Sequence, residues 1–183
     1  PSAGTRELPF SKTILIEQED FREEANRKFF RLKLGKEVRL KNAYIIKAES
    51  VEKDNNGKIK TVYCTYDPLS KSGSGTEESQ RKVKGTLHWV SELHAHQVQV
   101  RNYDRLFSDP NPDGHKDVDF TSFLNQNSLT EQQAFIEPNI GKPHHGKNYQ
   151  FQRQGYYVVD PDSTETNIIF NRTVGLRDNW SKK

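Results

Sequence analysis

Short strand patterns separated by turn-forming residues run along the whole chain, and this alternation limits its possible folds more than any other feature. In the clearest example, residues 43–52 and 59–66 flank Asn55-Asn56-Gly57. These three residues predict a hairpin turn, because Asn and Gly tolerate positive φ. Further strands are expected at 13–17, 38–41, 83–90, 97–107, 149–160 and 167–174. Many short strands joined by turns are typical of all-β barrels or sandwiches.

Three other segments give more specific structural predictions. Residues 19–28 are rich in charge, and we expect a helix there with Asp20 as its N-cap. Residues 67–80 are rich in Ser and Gly and show no periodicity, which predicts an exposed and mobile loop. Cys64 alternates with Val62 and Tyr66 and is expected in the core.

Composition favours small cores. Apolar residues make up 32% of the chain, charged residues 29%, and the mean hydropathy is −0.96. Ten Phe, seven Tyr and two Trp argue against disorder. Two small domains suit this composition better than one thick core, since small domains keep much of their surface exposed. No apolar stretch is long enough for a membrane span, and a single cysteine excludes an internal disulfide. We therefore expect a cytoplasmic protein.

Signatures of catalysis are missing from the sequence. There is no glycine-rich phosphate loop of useful form and no nucleophile elbow. His94 and His96 have a spacing that places both on one strand face, but no third metal ligand is evident. We expect no catalytic residue and no metal site in this chain.

Basic residues are concentrated between positions 22 and 41. Eight basic and three acidic side chains lie there, although the formal net charge of the chain is only +3. A solvated helix face is one explanation of such a run, and a nucleic-acid contact is the other.

Aromatic side chains alternate with basic and amide side chains in two places, Phe29-Phe30-Arg31 and 149–153. Flat rings stack on unpaired bases, while Arg and Gln can bind base edges. Strand alternation places Tyr149 and Phe151 in a core and Gln150 in solvent. Arg153 falls on the Phe151 side, so a contact with RNA would need a bulge or the end of the strand there.

Five segments resemble the C-terminal region of glutaminyl-tRNA synthetases, in the order in which that family has them. They are D-F-R-E-E-A-N at 20–26, L-G-K-E-V-R-L-K-N-A-Y at 34–44, K-V-K-G-T-L-H-W-V-S at 82–91, Y-D-R-L-F at 103–107 and F-N-R-T-V-G-L-R-D-N-W at 170–180. The resemblance implies an all-β fold of two six-stranded β-barrels of the ribosomal protein L25-like kind, one inserted in the other. The proximal barrel would comprise 8–108 and 166–183, and the distal barrel 109–165.

The resemblance also implies a function. This region of the family recognises the anticodon loop of glutamine tRNA, within an ATP-dependent glutamine–tRNA ligase. The catalytic domain, which uses ATP with Mg, would lie upstream in the same chain, and its signatures are absent here. We expect the protein to be a monomer that does not bind membranes. We expect this part of it to bind no cofactor and to have no ligase activity by itself.

Residue roles follow from the same resemblance. Arg31 matches a residue at the third anticodon base, a guanine, and Arg39 and Lys41 match residues around the first base. Gln150 and Arg153 match residues at the central uracil. Asn42 and Arg177 complete the expected anticodon-binding set. Lys41 and Phe30 stand where a relative has arginine and lysine; since lysine is a point donor, reading of the first base is expected to be looser.

Three alternatives remain open from the sequence. The same domain family occurs in some glutamyl-tRNA synthetases, which is the nearest alternative. A ribosomal-RNA binder of the L25 type and a protein-interaction barrel without RNA are more distant.

Overall fold

Strands make up most of the regular structure in the computed structural model, which describes residues 4–140 and 144–176. The chain divides into an N-terminal unit, Leu8–His94, and a C-terminal unit, which is the described part of Ala95–Lys183 and Pro1–Glu7. The all-β prediction is confirmed. The only α-helix in the described residues is the four-residue α1, Glu77–Gln80. No helix among them has the length and apolar content that crossing a lipid bilayer requires.

The N-terminal unit contains eight strands and two short 3-10 helices. The strands are β1 (Ile14–Leu15), β2 (Phe21–Arg22), β3 (Leu32–Lys33), β4 (Glu37–Leu40), β5 (Ile45–Lys53), β6 (Ile59–Asp67), β7 (Thr86–Leu87) and β8 (Val90–Ser91). The 3-10 helices are Gln18–Asp20 and Pro68–Ser70. A four-stranded sheet has the order β6-β5-β4-β7, with β4 and β7 parallel, and β1-β8 and β2-β3 form two-stranded sheets. The predicted hairpin is confirmed as β5 and β6.

The core of this unit follows from strand alternation. Val38 and Leu40 on β4 are fully buried, while Glu37 and Arg39, which alternate with them, are half-buried. The buried cluster comprises Phe21, Leu32, Val38, Leu40, Ala43, Ile46, Ala48, Leu87 and Trp89. A core of this size is small, so contacts other than apolar burial must hold the longer connections.

Two sequence predictions in this unit are wrong. The segment 19–28 is not a helix; it contains the end of a 3-10 helix and the strand β2, and Asp20 is fully buried in an ion pair with Arg31 instead of capping a helix. Cys64 is exposed on β6, the edge strand of its sheet. Local desolvation, with the nearby Glu49 carboxylate, raises the pKa of its thiol to about 11.

The segment 67–80 is mostly exposed, as predicted, but it contains a 3-10 helix and α1, and Arg39 binds this connection. Its mobility stays a prediction. The Arg39 Nη1 donates to the carbonyl oxygen of Ser70 at 2.8 Å and to Ser72 Oγ at 3.2 Å. Its Nη2 donates to the carbonyl oxygens of Ser79 at 3.0 Å and Arg81 at 3.2 Å. One guanidinium group therefore fixes both ends of the connection to β4.

Side-chain caps at the starts of its two short helices also stabilise this connection. The Asp67 side chain accepts a hydrogen bond from the Leu69 N–H at the start of a 3-10 helix, and Thr76 Oγ1 accepts from the Ser79 N–H at the start of α1. The buried Ser70 Oγ accepts from the Ile45 N–H at 2.8 Å. The Ser and Thr residues that indicated mobility thus serve as caps and bridges.

The C-terminal unit is built on one five-stranded sheet. Its strands are β9 (His96–Tyr103), β10 (Leu129–Ile136), β11 (Asn148–Phe151), β12 (Gly155–Val159) and β13 (Ile169–Gly175). Their order is β10-β9-β13-β12-β11, and β13 pairs with β9 in parallel while the other pairs are antiparallel. The 3-10 helices of this unit are Pro112–Gly114, Phe120–Phe123 and Pro138–Ile140. Its buried cluster comprises Val98, Val100, Ile136, Tyr157, Val159 and Phe170.

The unit boundary differs from the predicted one. Because β9 and β13 share a sheet with β10, β11 and β12, residues 95–108 and 166–176 belong with the predicted distal domain. The change of unit lies between His94 and Ala95. The described strands form sheets of five, four, two and two members. The six-stranded barrel form therefore stays a prediction.

Arg101 and Asp160 tie the strands of the C-terminal unit together. Arg101 Nη1 on β9 lies 3.0 Å from the Asp160 carboxylate, which is 5% exposed, and 2.9 Å from Asp162. Arg101 Nε also bonds Glu131 on β10 at 3.0 Å, and Asn171 on β13 donates to Asp160. Burial raises the pKa of Asp160, but hydrogen bonds from the Asp162 N–H, Asn171 and Arg101 outweigh it and hold that pKa below its usual range.

Replacing Arg39 with Met is expected to free the 68–81 connection. The change keeps most of the side-chain volume but removes four hydrogen bonds, three of them partly buried, so the unfolding free energy should fall by about 2–4 kcal/mol. Hydrogen exchange of the Ser72 amide, which donates to the Ala43 carbonyl oxygen, should accelerate. Lys41→Met is the control, with a stability change below about 0.5 kcal/mol. Unchanged Ser72 exchange in R39M would mean that other contacts hold the connection.

The Asp160 network predicts a pH-dependent contribution to stability. The folded-state pKa is below the unfolded value of about 3.9, so the contribution is complete above about pH 4 and is lost as the pH falls through the folded pKa. Asp160→Asn should lower the unfolding free energy by about 3 kcal/mol at neutral pH, because it leaves Arg101 without its buried partner. Urea unfolding from pH 3 to 7 should show this difference shrinking in acid. An equal difference at pH 3 would contradict the assignment.

Candidate nucleic-acid interface

A pocket of about 450 Å³ opens in the N-terminal unit. We call it the basic pocket; it is lined by Glu19, Arg22, Lys28, Phe29, Phe30 and Arg31. The Arg22 guanidinium carbon lies 5.0 Å from the centre of the Phe29 ring, and Lys84 Nζ lies 5.6 Å from the centre of the Phe30 ring. Phe30 is 53% exposed. Cations beside exposed rings are the combination that binds phosphates and stacks unpaired bases.

Hydrogen bonds within residues 25–33 hold the wall of the basic pocket. The Asn26 side chain accepts from the Lys28 N–H at 2.9 Å, and the Asn26 carbonyl accepts from the Phe29 N–H at 3.2 Å. Lys33 Nζ adds bonds of 3.3 Å to the carbonyl oxygens of Ala25 and Asn26. These bonds form a turn that presents two adjacent aromatic rings.

Gly85 allows close approach to that wall. It has φ of 101°, and a Cβ there would collide with the carbonyl oxygen of Phe30. The segment K-V-K-G therefore needs glycine at this position, and the backbone contact also brings Lys84 next to Phe30.

Arg31 has a structural contact that sequence analysis missed. Its Nη1 lies 2.9 Å from Asp20 Oδ1 and 3.0 Å from Glu19 Oε1. Asp20 is fully buried, and the Arg31 side chain is 34% exposed. Truncation of Arg31 would leave a buried carboxylate without this partner, so Arg31 contributes to the fold as well as to the pocket.

The β4–β5 turn carries Lys41 and Asn42, two further expected site residues. The Ala43 N–H donates to the Leu40 carbonyl at 3.0 Å, and Asn42 has φ of 58°, which Asn tolerates well. The Lys41 carbonyl accepts from Trp89 Nε1 at 3.0 Å. Its ammonium group has no polar partner within the described part of the chain. Lys41 and Asn42 are thus accessible to a ligand, whereas both terminal nitrogens of Arg39 are occupied by the 68–81 connection.

The turn between β11 and β12 brings Gln150 and Arg153 onto one hairpin of the C-terminal unit. Gln150 is exposed on the edge strand β11, while Tyr149 and Phe151 pack on the core; the Phe151 ring stacks on Tyr157 with centres 4.5 Å apart. The predicted alternation is confirmed. The strand ends at Phe151, and Arg153 lies in the turn with φ of 66°. Arg153 thus lies beyond the end of the strand, which is one of the two positions from which it was expected to reach RNA.

Two sequence expectations remain, one for Arg177 and one for the pair His94 and His96. Arg177 lies outside the described residues. His94 Nδ1 is 2.8 Å from Ser91 Oγ, and within residues 4–140 and 144–176 no three His, Cys, Asp or Glu side chains are grouped as metal ligands.

Comparisons with known proteins agree on one family. Two family models, both described as the anti-codon binding domain of class I tRNA synthetases (E and Q), match residues 1–67 and 86–160. Together they cover most of the chain, including the basic pocket and the Gln150 hairpin.

Individual relatives match along the whole chain. It is 57% identical over 182 residues to a glutamine–tRNA ligase of Rhodopirellula baltica, 53% identical to that of Proteus mirabilis and 54% identical to that of Escherichia coli O157:H7. These alignments cover 99–100% of this chain but only 30–32% of each relative, so the chain spans about a third of their length. From both kinds of match, the chain belongs to the anticodon-binding domain family of the class I tRNA synthetases for glutamate and glutamine.

Proposed function

We propose that this chain binds the anticodon loop of glutamine tRNA as the tRNA-reading part of a glutamine–tRNA ligase. The observation that carries the proposal is the basic pocket, which is lined by the cations of Arg22, Lys28 and Arg31 together with two aromatic rings. Single-stranded RNA is bound by stacking its splayed bases and by neutralising its phosphates, and this pocket offers both. The names of the relatives supply the substrate.

Residue roles in the proposal divide between the two units. Arg31 contacts the third anticodon base from the basic pocket, and Lys41 and Asn42 contact the first base or its phosphate. Gln150 and Arg153 contact the central uracil from their hairpin, and Arg177 adds an RNA contact. Arg39 supports the first-base contacts by holding the connection beside β4. Phosphate contacts contribute most of the affinity and base contacts the specificity.

Other properties of the whole enzyme are part of the same proposal. ATP with Mg binds to the catalytic domain upstream in the longer protein, which acts as a cytoplasmic monomer. The chain by itself does not activate glutamine, so glutamine-dependent ATP–pyrophosphate exchange by the purified chain would contradict this part.

A related glutamyl-tRNA synthetase is the second candidate, because the matching family models cover both the E and Q enzymes. The identities of 53–57% to glutamine–tRNA ligases, over 99–100% of this chain, favour the glutamine enzyme. The two candidates differ in the anticodon that the chain prefers.

Binding to glutamine tRNA should depend on both the anticodon and salt. We expect a preference of about tenfold or more over the same tRNA carrying a glutamate anticodon, since base-edge contacts discriminate by about 1–3 kcal/mol each. Affinity should fall about tenfold or more between ~50 and ~200 mM salt if several phosphates are neutralised. Gel-shift titration measures both. Preference for the glutamate anticodon would support the second candidate, and no binding to either tRNA at low salt would refute RNA recognition.

Gln150 should read only the central base. Gln150→Ala removes an exposed amide from β11, and we expect a loss of about 1 kcal/mol in binding glutamine tRNA, about fivefold in Kd. The loss should vanish for a tRNA whose central uracil is already replaced by cytosine. Gln132→Ala is a matched control, because Gln132 is exposed on β10, the opposite edge strand of the same sheet. Equal losses for both tRNAs would show that Gln150 does not read this base.

A further inference from the structure

Among the described residues, the ion pair between Arg31 and Glu19 leaves N–H donors of Arg31 and one carboxylate oxygen of Glu19 without a partner in the basic pocket. Arg31 Nη1 donates hydrogen bonds to the carbonyl oxygen and to Oε1 of Glu19. Its Nη2 and Nε donate to no described residue. Glu19 uses Oε1 for the pair, and its Oε2 accepts no hydrogen bond from the described residues. The pocket therefore presents N–H groups beside a carboxylate oxygen.

Asp20 fixes this arrangement. It is fully buried, its Oδ1 lies 2.9 Å from Arg31 Nη1, and its own N–H donates to the Glu17 carbonyl at 2.9 Å. The guanidinium group is thus anchored on one nitrogen. An anchored donor loses less freedom on binding a ligand than a mobile side chain does.

Glu19 has no evident role in the fold that would explain its place in the pocket wall. Its side chain is 68% exposed, so its ion pair with Arg31 contributes little stability. In a pocket that bound only phosphate, this carboxylate would weaken binding by repulsion. A carboxylate at this position would strengthen binding of a ligand that has hydrogen-bond donors.

Guanine has such donors next to an acceptor. Its outer edge carries the O6 acceptor followed by the N1–H and the N2 amino group, and a carboxylate can accept from both donors. We propose that Glu19 is a specificity-determining residue of the basic pocket, which accepts hydrogen bonds from N1–H and the N2 amino group of guanine at the third anticodon position while Arg31 donates to O6. This inference rests on the proposed function.

The test compares anticodon stem-loops that differ only at the third anticodon base, guanine or hypoxanthine. Inosine keeps O6 and N1–H but lacks the N2 amino group. The unmodified chain should bind the guanosine RNA about fivefold or more tightly than the inosine RNA, within the usual range for one base-edge contact. In Glu19→Ala this ratio should fall below about twofold, because the acceptor is gone.

Glu17→Ala provides the matched control. Glu17 is an exposed carboxylate two residues away that does not line the pocket, so its removal changes the same charge and should keep the guanosine-to-inosine ratio. Equal binding of the two RNAs by the unmodified chain would overturn the role of Glu19, and so would the same ratio in both variants. Failure of the unmodified chain to bind any anticodon RNA at low salt would instead refute the proposed function, and the inference with it.

Discussion

Each unit of this protein has a small apolar core, and guanidinium groups bind strands and connections that the core does not fix. The buried clusters consist of nine residues in the N-terminal unit and six in the C-terminal unit. Arg39, Arg101 and Arg31 each bind an acceptor at a buried residue: the Ser70 carbonyl, Asp160 and Asp20. A planar guanidinium can reach several acceptors at once, which explains why arginine and not lysine occupies these positions. Two of these arginines lie at the candidate site, since Arg31 lines the basic pocket and Arg39 lies on β4 close to Lys41 in the sequence.

Local patterns in the sequence predicted the parts of the fold that local chemistry determines. The Asn55–Gly57 hairpin and the alternation through Tyr149, Gln150 and Phe151 are of this kind, because turn conformation and strand alternation act between neighbours. The order of residues 67–80 and the shape of 19–28 depend on partners far along the chain. Arg39 contacts residues 31 to 42 positions away, and no local pattern reports such a partner.

The candidate site shows the same limit. The family resemblance placed Arg39 and Lys41 together as anticodon contacts. Arg39, however, is bonded to the backbone of a connection, while the Lys41 ammonium group has no polar partner among the described residues. Glu19 and Asp20 were missed because acidic residues do not indicate RNA binding. Their importance becomes visible only when Arg31 is seen between them.

The central place of β13 in its sheet has a consequence for biosynthesis. Residues Ile169–Gly175 form the last described strand, yet they pair with β9 on one side and β12 on the other. Until they leave the ribosome, the two halves of the sheet, β10-β9 and β12-β11, lack the strand that joins them. The N-terminal unit has all of its strands by Ser91 and can fold during synthesis. The sheet of the C-terminal unit cannot be completed before β13 is available, so one edge of β9 and one edge of β12 stay unpaired until then. Unpaired strand edges can pair wrongly with other chains.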